Sequence, residues 1–192
     1  QWRVDGGPWL NSGATAEVTT GTHTVSFSPA PNWRTPAPQV VNVPSSPTVQ
    51  LVGLYQSYPM CEGVGACNRP WITPALPPAI SPWFSQDAVS HDGHNALQSG
   101  PVAADQVSNM MTFVTGPCTV TFWWRASCSA GWGQYFYEVD GIRFGALTGE
   151  TDWILETVPL GPGSHQIAWF FYRGPGDPGG GSNCGWLDQF VV

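Results

Sequence analysis

Hydrophobic and polar residues alternate over short stretches along most of the chain. Residues 119–127 and 165–172 show this most clearly, with an aliphatic or aromatic side chain at every second position. A period of two residues is typical of β-strands with one buried face. Turn sequences such as Asp5-Gly6 and Asp140-Gly141 separate the strands, and no segment has a convincing helical period. The pattern therefore predicts an all-β fold.

The strand pattern and the prolines divide the chain into three parts. Residues 1–55 contain five short candidate strands and predict a small antiparallel β-sandwich. Residues 56–80 keep neither period, and their prolines and cysteine loop predict a stiff connector. Residues 81–192 contain seven or eight candidate strands, which predict a larger jelly-roll β-sandwich. Within this last part, Gly116-Pro117 and residues 161–163 predict chain reversals between separate strands.

The composition disfavours several classes of protein. The 192 residues carry 13 acidic and 6 basic side chains, all six basic residues are arginine, and the net charge is −7. A nucleic-acid-binding protein needs a basic surface, which this chain lacks. No apolar run approaches the ~18 residues of a membrane span. What remains is an aromatic-rich and turn-rich protein, with 11 tryptophans, 23 glycines and 19 prolines.

The five cysteines favour disulfides over a zinc or redox motif, because no Cys-x-x-Cys pair is present. Cys61 and Cys67 bracket a short loop with two glycines, and we expect them to be bonded. Cys118 and Cys128 flank one strand about 33 Å long, far beyond the ~7 Å reach of a disulfide. We therefore expect a second bond between Cys128 and Cys184, with Cys118 unpaired or paired between molecules. Disulfides indicate a secreted protein.

Several motifs resemble those of extracellular modules. Residues 1–55 resemble a PEGA-like β repeat through Trp2-Arg3-Val4-Asp5-Gly6-Gly7-Pro8-Trp9 and Gly21-Thr22-His23-Thr24-Val25. Residues 81–192 resemble an uncharacterised bacterial extracellular jelly-roll module through Val120-Thr121-Phe122-Trp123-Trp124-Arg125, Val139-Asp140-Gly141, Gly163-Ser164-His165 and Cys184-Gly185-Trp186-Leu187-Asp188. Both resemblances imply β-sandwich folds in a secreted or cell-surface protein of bacteria.

The sequence gives little indication of catalysis. It has no Gly-x-Ser-x-Gly and no His-Glu-x-x-His motif, and strand alternation alone explains its carboxylate pairs. The repeated pattern Gly-[Thr/Ser]-His at His23 and His165 follows a turn in both cases. We interpret this repeat as hairpin chemistry rather than an active site. The sequence therefore predicts a protein that is not an enzyme.

Calcium is the one cofactor that we consider. Jelly-roll sandwiches often hold a structural Ca²⁺ ion with carboxylate and backbone carbonyl ligands. Asp188 on the final strand is the first candidate ligand, by its position in the resembling module, and Asp92 is the second. The alternative is that Asp188 accepts hydrogen bonds from backbone amides within the fold and that the protein has no cofactor.

The positions of the tryptophans predict aromatic side chains in exposed loops and on the second face of one sheet. Trp33, Trp83 and Trp132 lie in predicted loops and are candidates for stacking against sugar rings. Trp123 and Trp124 are adjacent in a strand, so they face opposite sides and one of them leaves the core. That second face is a covered surface, an interface or a binding platform.

Our leading hypothesis is a non-enzymatic structural protein, a subunit of a bacterial surface filament or surface layer that assembles with copies of itself. Gln1, Trp2, Arg3 and Val4 begin the chain as a strand, which we interpret as a mature form without its signal peptide. Such a strand could add to a neighbour's sheet. The alternative is a carbohydrate-binding or adhesion module that recognises a surface polysaccharide.

Overall fold

The computed structural model describes four stretches of the chain, residues 1–30, 33–46, 48–74 and 81–192. The chain forms two compact units, Gln1–Ser57 and Tyr58–Val192. The described residues contain thirteen β-strands and one short 3-10 helix, and no α-helix. The all-β fold predicted from the sequence is therefore confirmed. The end of the predicted connector, residues 75–80, lies outside the described residues.

The first unit is built from five short strands, which are β1 (Trp2–Val4), β2 (Gly21–Phe27), β3 (Trp33–Arg34), β4 (Gln39–Val43) and β5 (Gln56–Ser57). They form an antiparallel sheet in the order β1-β2-β4 and a separate β3-β5 pair. Val25 is the one fully buried hydrophobic residue among those described in this unit, whereas Val40 and Leu54 are each 73% exposed. The hydrophobic core of this unit is therefore small.

The second unit opens with the 3-10 helix, Met60–Val64, and a disulfide between Cys61 and Cys67. Its eight strands are β6 (Trp71–Ile72), β7 (Phe84–Gln86), β8 (Ala96–Gln98), β9 (Gln106–Ser127), β10 (Gly133–Val139), β11 (Ile142–Leu147), β12 (Ile154–Arg173) and β13 (Cys184–Val191). Two of these strands, β9 and β12, are far longer than the others, and the rest of the unit is arranged around them.

The long strands β9 and β12 form one antiparallel ribbon whose two halves belong to different sheets. Residues 106–116 pair with 163–173, and this half continues through β10 to β11 on one side and to β6 on the other. Residues 118–124 pair with 154–160, and this half continues through β13 and β8 to β7. We call these the first and the second sheet.

The two sheets pack face to face. Met110 and Phe122 would lie about 40 Å apart in a straight strand. Trp169 pairs with Met110, yet the centre of its ring lies only 5.3 Å from that of Phe122. The ribbon therefore bends back on itself between these positions, and the inward faces of the two sheets meet as a sandwich.

A β-bulge in the middle of the ribbon accompanies this bend. The register skips between Leu160 and Gly163 of β12, so that two residues there oppose Pro117 of β9. Proline cannot donate a ladder hydrogen bond and is tolerated at a bulge, where the ladder is already interrupted. A Cβ atom at Gly116 would collide with the carbonyl oxygen of Gly161. The two strands therefore touch at the level of their backbones.

The bulge overturns one prediction from the sequence. Gly116-Pro117 and residues 161–163 predicted two chain reversals, but both segments lie within continuous strands. Glycine and proline are equally suited to a bulge and to a turn. Because the two segments oppose each other, the strands stay paired on both sides and bend together. Four of the strands predicted from the sequence are therefore halves of the two long strands β9 and β12.

Aromatic side chains fill the space between the sheets. Phe122 and Trp124 of the second sheet meet Tyr135, Tyr137 and Trp169 of the first, with rings edge to face and centres 5.2–5.4 Å apart. All five residues are at most 3% exposed. Each edge-to-face pair contributes roughly 0.5–1.5 kcal/mol beyond the burial of its area. The aromatic residues thus join the two sheets directly.

The second disulfide expected from the sequence is not formed. Cys128 and Cys184 are buried free thiols, and Cys118 is a half-buried free thiol. Cys184 pairs in register with Ser127 rather than with Cys128, and the Cys128 thiol instead lies 3.7 Å from the carbonyl oxygen of Gly149. Burial raises the pKa of Cys184 to about 12, which keeps this thiol protonated.

Four arginines of the described residues lie over aromatic rings. They are Arg3 over Trp9, Arg69 over Phe190, Arg125 over Trp186 and Arg143 over Phe136, at 4.3, 5.1, 5.5 and 3.8 Å from the ring centres. A guanidinium group is attracted to the negative face of such a ring. In a protein without lysine, a large share of the positive charge is thus held against aromatic side chains.

The close approach of Gly116 to Gly161 predicts that one methyl group added at Gly116 destabilises the fold. Gly116→Ala should lower the free energy of unfolding by about 1–3 kcal/mol, because the new Cβ forces the two backbones apart. Gly161→Ala is the matched control, since no atom lies within 4 Å of its Cβ position. Urea denaturation of both variants measures the difference. Equal effects of the two substitutions would contradict the close approach of the strands.

Candidate functional site

Trp132 is a large exposed aromatic residue at one end of the sandwich. It lies in the turn before β10 and is 46% exposed. Its amide donates to the carbonyl oxygen of Ser129 at 3.1 Å, and its own carbonyl accepts from the amide of Gly174 at 2.8 Å. A Cβ atom at Gly176 would lie 3.7 Å from the indole ring. The backbone of Trp132 is therefore fixed by hydrogen bonds, Gly176 lies near the edge of the indole, and almost half of the residue is exposed.

The glycine-rich loop beside Trp132, residues 174–183, is fixed by buried polar contacts. Asp177 is only 7% exposed. Its carboxylate accepts from the amide of Gly179 at 2.9 Å and from Nε of Arg173 at 2.8 Å. The Gly179 hydrogen bond, followed by those of Ser129 and Arg173, lowers the pKa of Asp177. The charged carboxylate thus ties the loop to Arg173 of β12, next to Trp132.

A second aromatic surface lies on the outer face of the first sheet. Along β10, the half-buried residues Gln134, Phe136 and Glu138 alternate with buried core residues. Phe136 stacks on Phe170 of β12 with ring centres 5.0 Å apart, and Arg143 lies over its ring. Arg143 also donates to the Gln134 side chain at 3.1 Å. The face therefore combines aromatic rings with polar side chains.

Sequence reasoning did not single out Phe136 and Phe170 as surface residues. The signal was present, because both strands place aromatic residues at odd and at even positions. A strand with aromatic residues on both faces has more rings than one core needs. What the sequence lacked was the pairing of Phe136 with Phe170, which follows from the register of β10 and β12.

The three tryptophans predicted to stack on sugars have different surroundings. Trp132 is exposed in the turn before β10. Trp33 is 47% exposed in the first unit. Trp83 is only 2% exposed and packs on Tyr135 with ring centres 5.7 Å apart. The assignment of Trp83 as a sugar-stacking residue is wrong, because its ring is part of the core.

The two predicted calcium ligands lie near each other, but the carboxylate of each binds a backbone amide. Asp188 is 2% exposed, and its carboxylate accepts from the amide of His91 at 2.6 Å. Burial raises the pKa of Asp188, and the hydrogen bond from His91 opposes this rise. Asp92 accepts from the amide of His94 in an exposed turn. In the ranges that the structure describes, no three His, Cys, Asp or Glu side chains form a group that could hold a metal ion.

Asp188 instead fixes a loop over the second sheet. The amide that it binds belongs to His91, whose ring stacks on Trp123 with centres 3.8 Å apart and planes at 15°. Nδ1 of His91 lies 2.9 Å from the side-chain oxygen of Gln189. Trp124 is in the core, so Trp123 is the member of the adjacent pair that leaves it. The face of the second sheet that points away from the core is thus partly covered by the loop that carries His91.

The predicted assembly strand, Gln1–Val4, is paired within its own unit. Trp2 exchanges two backbone hydrogen bonds with Leu10, at 2.9 and 2.7 Å, on one side. On the other side it pairs with Phe27 of β2. The amino terminus of Gln1 donates to the Ser28 hydroxyl. The backbone groups of this strand are therefore used inside the chain, which differs from the expected exchange with a neighbour.

No protein-family model matches this chain, and no curated protein is significantly similar to it in sequence. Among solved structures, the secreted serine protease VesC from Vibrio cholerae is 12% identical with a TM-score of 0.44. That similarity covers 88% of this chain and 32% of VesC, so the chain spans about a third of the length of that protein.

Two further solved structures are similar at low identity. The K3 cleaved adhesin domain of Lys-gingipain from Porphyromonas gingivalis is 16% identical with a TM-score of 0.46, over 65% of this chain and 94% of that domain. TmCBM61, solved in complex with β-1,4-galactotriose, is 16% identical with a TM-score of 0.41, over 64% of this chain and 86% of that one.

None of the helical segments described here has the length and apolar character to cross a bilayer.

The contact of Asp188 with the His91 loop predicts a stability effect. Asp188→Ala should lower the free energy of unfolding by roughly 1–3 kcal/mol, because a partly buried amide loses its acceptor. Asp152→Ala, at an exposed position, is the control and should change it by less than about 0.5 kcal/mol. Thermal melting with calcium and with chelator completes the test. A melting temperature that calcium raises in the wild type but not in Asp188→Ala would support a calcium ligand instead.

Proposed function

We propose that this chain is a carbohydrate-binding or adhesion module of a secreted protein, and that Trp132 is its sugar-stacking residue. The observation that carries this proposal is a tryptophan that is 46% exposed and whose backbone is fixed by two hydrogen bonds. An exposed aromatic ring offers a flat apolar surface to the C–H face of a sugar, and rigid aromatic residues dominate the affinity of many binding sites.

The fixed loop makes Trp132 suited to recognition. A side chain that is already held in its bound position loses little conformational entropy on binding. The Asp177 carboxylate and the backbone of Gly174 and Ser129 hold the surroundings of the indole. Loops supported in this way by a rigid sandwich are frequent positions for binding residues.

The proposed setting is extracellular. The Cys61–Cys67 disulfide in the second unit supports this, since such bonds persist in oxidising compartments. We further propose that residues 1–55 and 81–192 are the PEGA-like repeat and the jelly-roll module that their motifs resemble. A polysaccharide on a cell surface or in the surroundings is then the partner.

Self-assembly is the second candidate function, and one observation favours it. β11 is the edge strand of the first sheet, and its residues Ile142 and Phe144 are 65% and 60% exposed. An exposed apolar edge strand can pair with a strand of another chain. A filament or surface-layer subunit would use this edge rather than the paired strand Gln1–Val4.

Light scattering and negative-stain microscopy of the non-reduced protein test self-assembly. If β11 is an assembly edge, wild-type protein should form multimers or regular fibres, and Ile142→Lys should reduce them, because a charged side chain blocks edge pairing. A charge at the exposed Val40 of the first unit, Val40→Lys, is the control. A monomer at every concentration would remove this candidate function.

Replacement of Trp132 tests the carbohydrate-binding proposal. Wild-type protein should bind a subset of polysaccharides on a glycan array. Trp132→Ala should weaken that binding by a factor of about 10 or more, as expected when an aromatic anchor worth at least ~1.4 kcal/mol is lost. Affinity electrophoresis with the best polysaccharide measures the change.

Phe144→Ala is the matched control, since Phe144 is exposed on an edge strand away from the proposed site. It should bind like the wild type. Trp33→Ala tests the other exposed tryptophan. If Trp33→Ala alone abolished binding, the site would lie in the first unit and Trp132 would not be the stacking residue. If no polysaccharide were bound at all, the function itself would be refuted.

A further inference from the structure

The two units contain the same arrangement of one aspartate and one histidine. In the first unit, Oδ2 of Asp5 lies 2.6 Å from Nδ1 of His23, and Oδ1 accepts from the amide of Thr24 at 2.8 Å. Nε2 of His23 lies 2.9 Å from the carbonyl oxygen of Thr19. The histidine thus joins the turn that follows β1 to the carbonyl group four residues before the histidine itself.

The second unit repeats this arrangement almost atom for atom. Oδ2 of Asp140 lies 2.7 Å from Nδ1 of His165, and Oδ1 accepts from the amide of Gln166 at 2.9 Å. Nε2 of His165 lies 3.0 Å from the carbonyl oxygen of Gly161. We call each of these sets a His–Asp clasp. Two independent occurrences show that the geometry belongs to the sequence pattern and not to one local environment.

An Asp-Gly turn positions the carboxylate in both clasps. Asp5 and Asp140 have φ angles of 48° and 52°, and the glycines after them have 73° and 78°. This left-handed pair is the backbone of a tight hairpin turn, which aspartate and glycine adopt at low cost. The turn directs the carboxylate across the ladder to the amide that follows the histidine.

The acceptors around each ring determine how many protons the ring needs. Carboxylate and carbonyl oxygens only accept hydrogen bonds, and each imidazole has one such oxygen at each nitrogen. A neutral imidazole carries one N–H and would leave one nitrogen lone pair facing an oxygen. The imidazolium form carries two and satisfies both contacts. The geometry therefore fits the protonated histidine.

We propose that the two His–Asp clasps are proton-dependent locks, which hold each Asp-Gly turn against the strand that carries the histidine while the imidazole carries two protons, and release the turn when one proton is lost. The acceptor in the second clasp is the Gly161 carbonyl, the same group that a Cβ atom at Gly116 would meet at the bulge. The lock of the second unit thus lies beside the bulge, at the residue where the two long strands touch.

The neighbours of each histidine add no competing charge. On the adjacent strands, His23 pairs in register with Val41 of β4, and His165 pairs with Val114 of β9. Among the described residues, Asp5 is the titratable group that acts on His23, and Asp140 is the one that acts on His165. The hydrogen bond to the carboxylate raises the pKa of each histidine and lowers the pKa of each aspartate.

The direction of these changes sets the pH dependence of stability. A histidine whose pKa is higher in the folded state stabilises the fold fully below its unfolded pKa, and this contribution disappears as the pH rises through the folded pKa. The aspartates contribute above their unfolded pKa, and their contribution disappears as the pH falls through the depressed folded value. The clasps therefore stabilise both units most in mildly acidic solution, and they open as the pH rises through the raised folded pKa of the histidines.

NMR spectroscopy of the ring nitrogens tests the proposal on the wild-type chain. His23 and His165 should each titrate at a higher pKa than in the urea-unfolded chain, so both rings should be mostly doubly protonated at about pH 6.5, where unfolded histidines are half neutral. Asp140→Asn should lower the pKa of His165 and leave that of His23 unchanged. Asp5→Asn should do the reverse, so each variant is the control for the other.

Urea denaturation links the protonation to the fold. The unfolding midpoint of the wild type should fall as the pH rises from about 6 to about 9, and this fall should be smaller in the Asp5→Asn/Asp140→Asn double variant. A neutral ring with a single N–H, or folded pKa values at or below the unfolded ones, would overturn the proposal. Because the ring spectra need no substitution, this outcome can be read even if a variant does not fold.

Discussion

The bulge at the middle of the β9–β12 ribbon is the constraint on which the second unit depends. One pair of strands supplies two sheets only because it bends where Gly116 faces Gly161 without side chains between them. The bend brings Phe122 within ring contact of Trp169 and closes the aromatic core. All other strands of the unit then add to one half of the ribbon or to the other, so the sandwich is defined by a single pairing of distant segments.

The sequence predicted the strands well and their connection less well. Alternation places Phe122 and Trp124 inward correctly, because a period of two residues is a local property. Whether Gly116-Pro117 ends a strand or bends it depends on what lies opposite, some 45 residues later, and local composition carries no information about that. The same limit applies to the site. Trp83 and Trp132 both follow turn-like segments, yet only the packed structure separates the buried ring from the exposed one.

The two units differ in the size of their hydrophobic cores, and this difference makes the His–Asp clasp more important for the stability of the first unit. The second unit has a continuous aromatic core, whereas the first has one fully buried hydrophobic residue, Val25, among those described. A small core contributes little hydrophobic stabilisation, so polar contacts that fix a hairpin matter more there. Sequence reasoning noticed the repeated histidine pattern but not its partner. Asp5 and Asp140 were recognised as turn residues, and their carboxylates turn out to bind across the ladder.

Arginines held over aromatic rings have a consequence for how this protein meets its surroundings. With a net charge of −7 and no lysine, the chain has no flexible ammonium groups with which to bridge to phosphate- or carboxylate-rich surfaces. Its long-range field repels polyanions, and salt shortens the range of that field to about 10 Å at 0.1 M. Encounters with anionic envelopes should therefore become faster as ionic strength rises, the reverse of the behaviour of a basic protein.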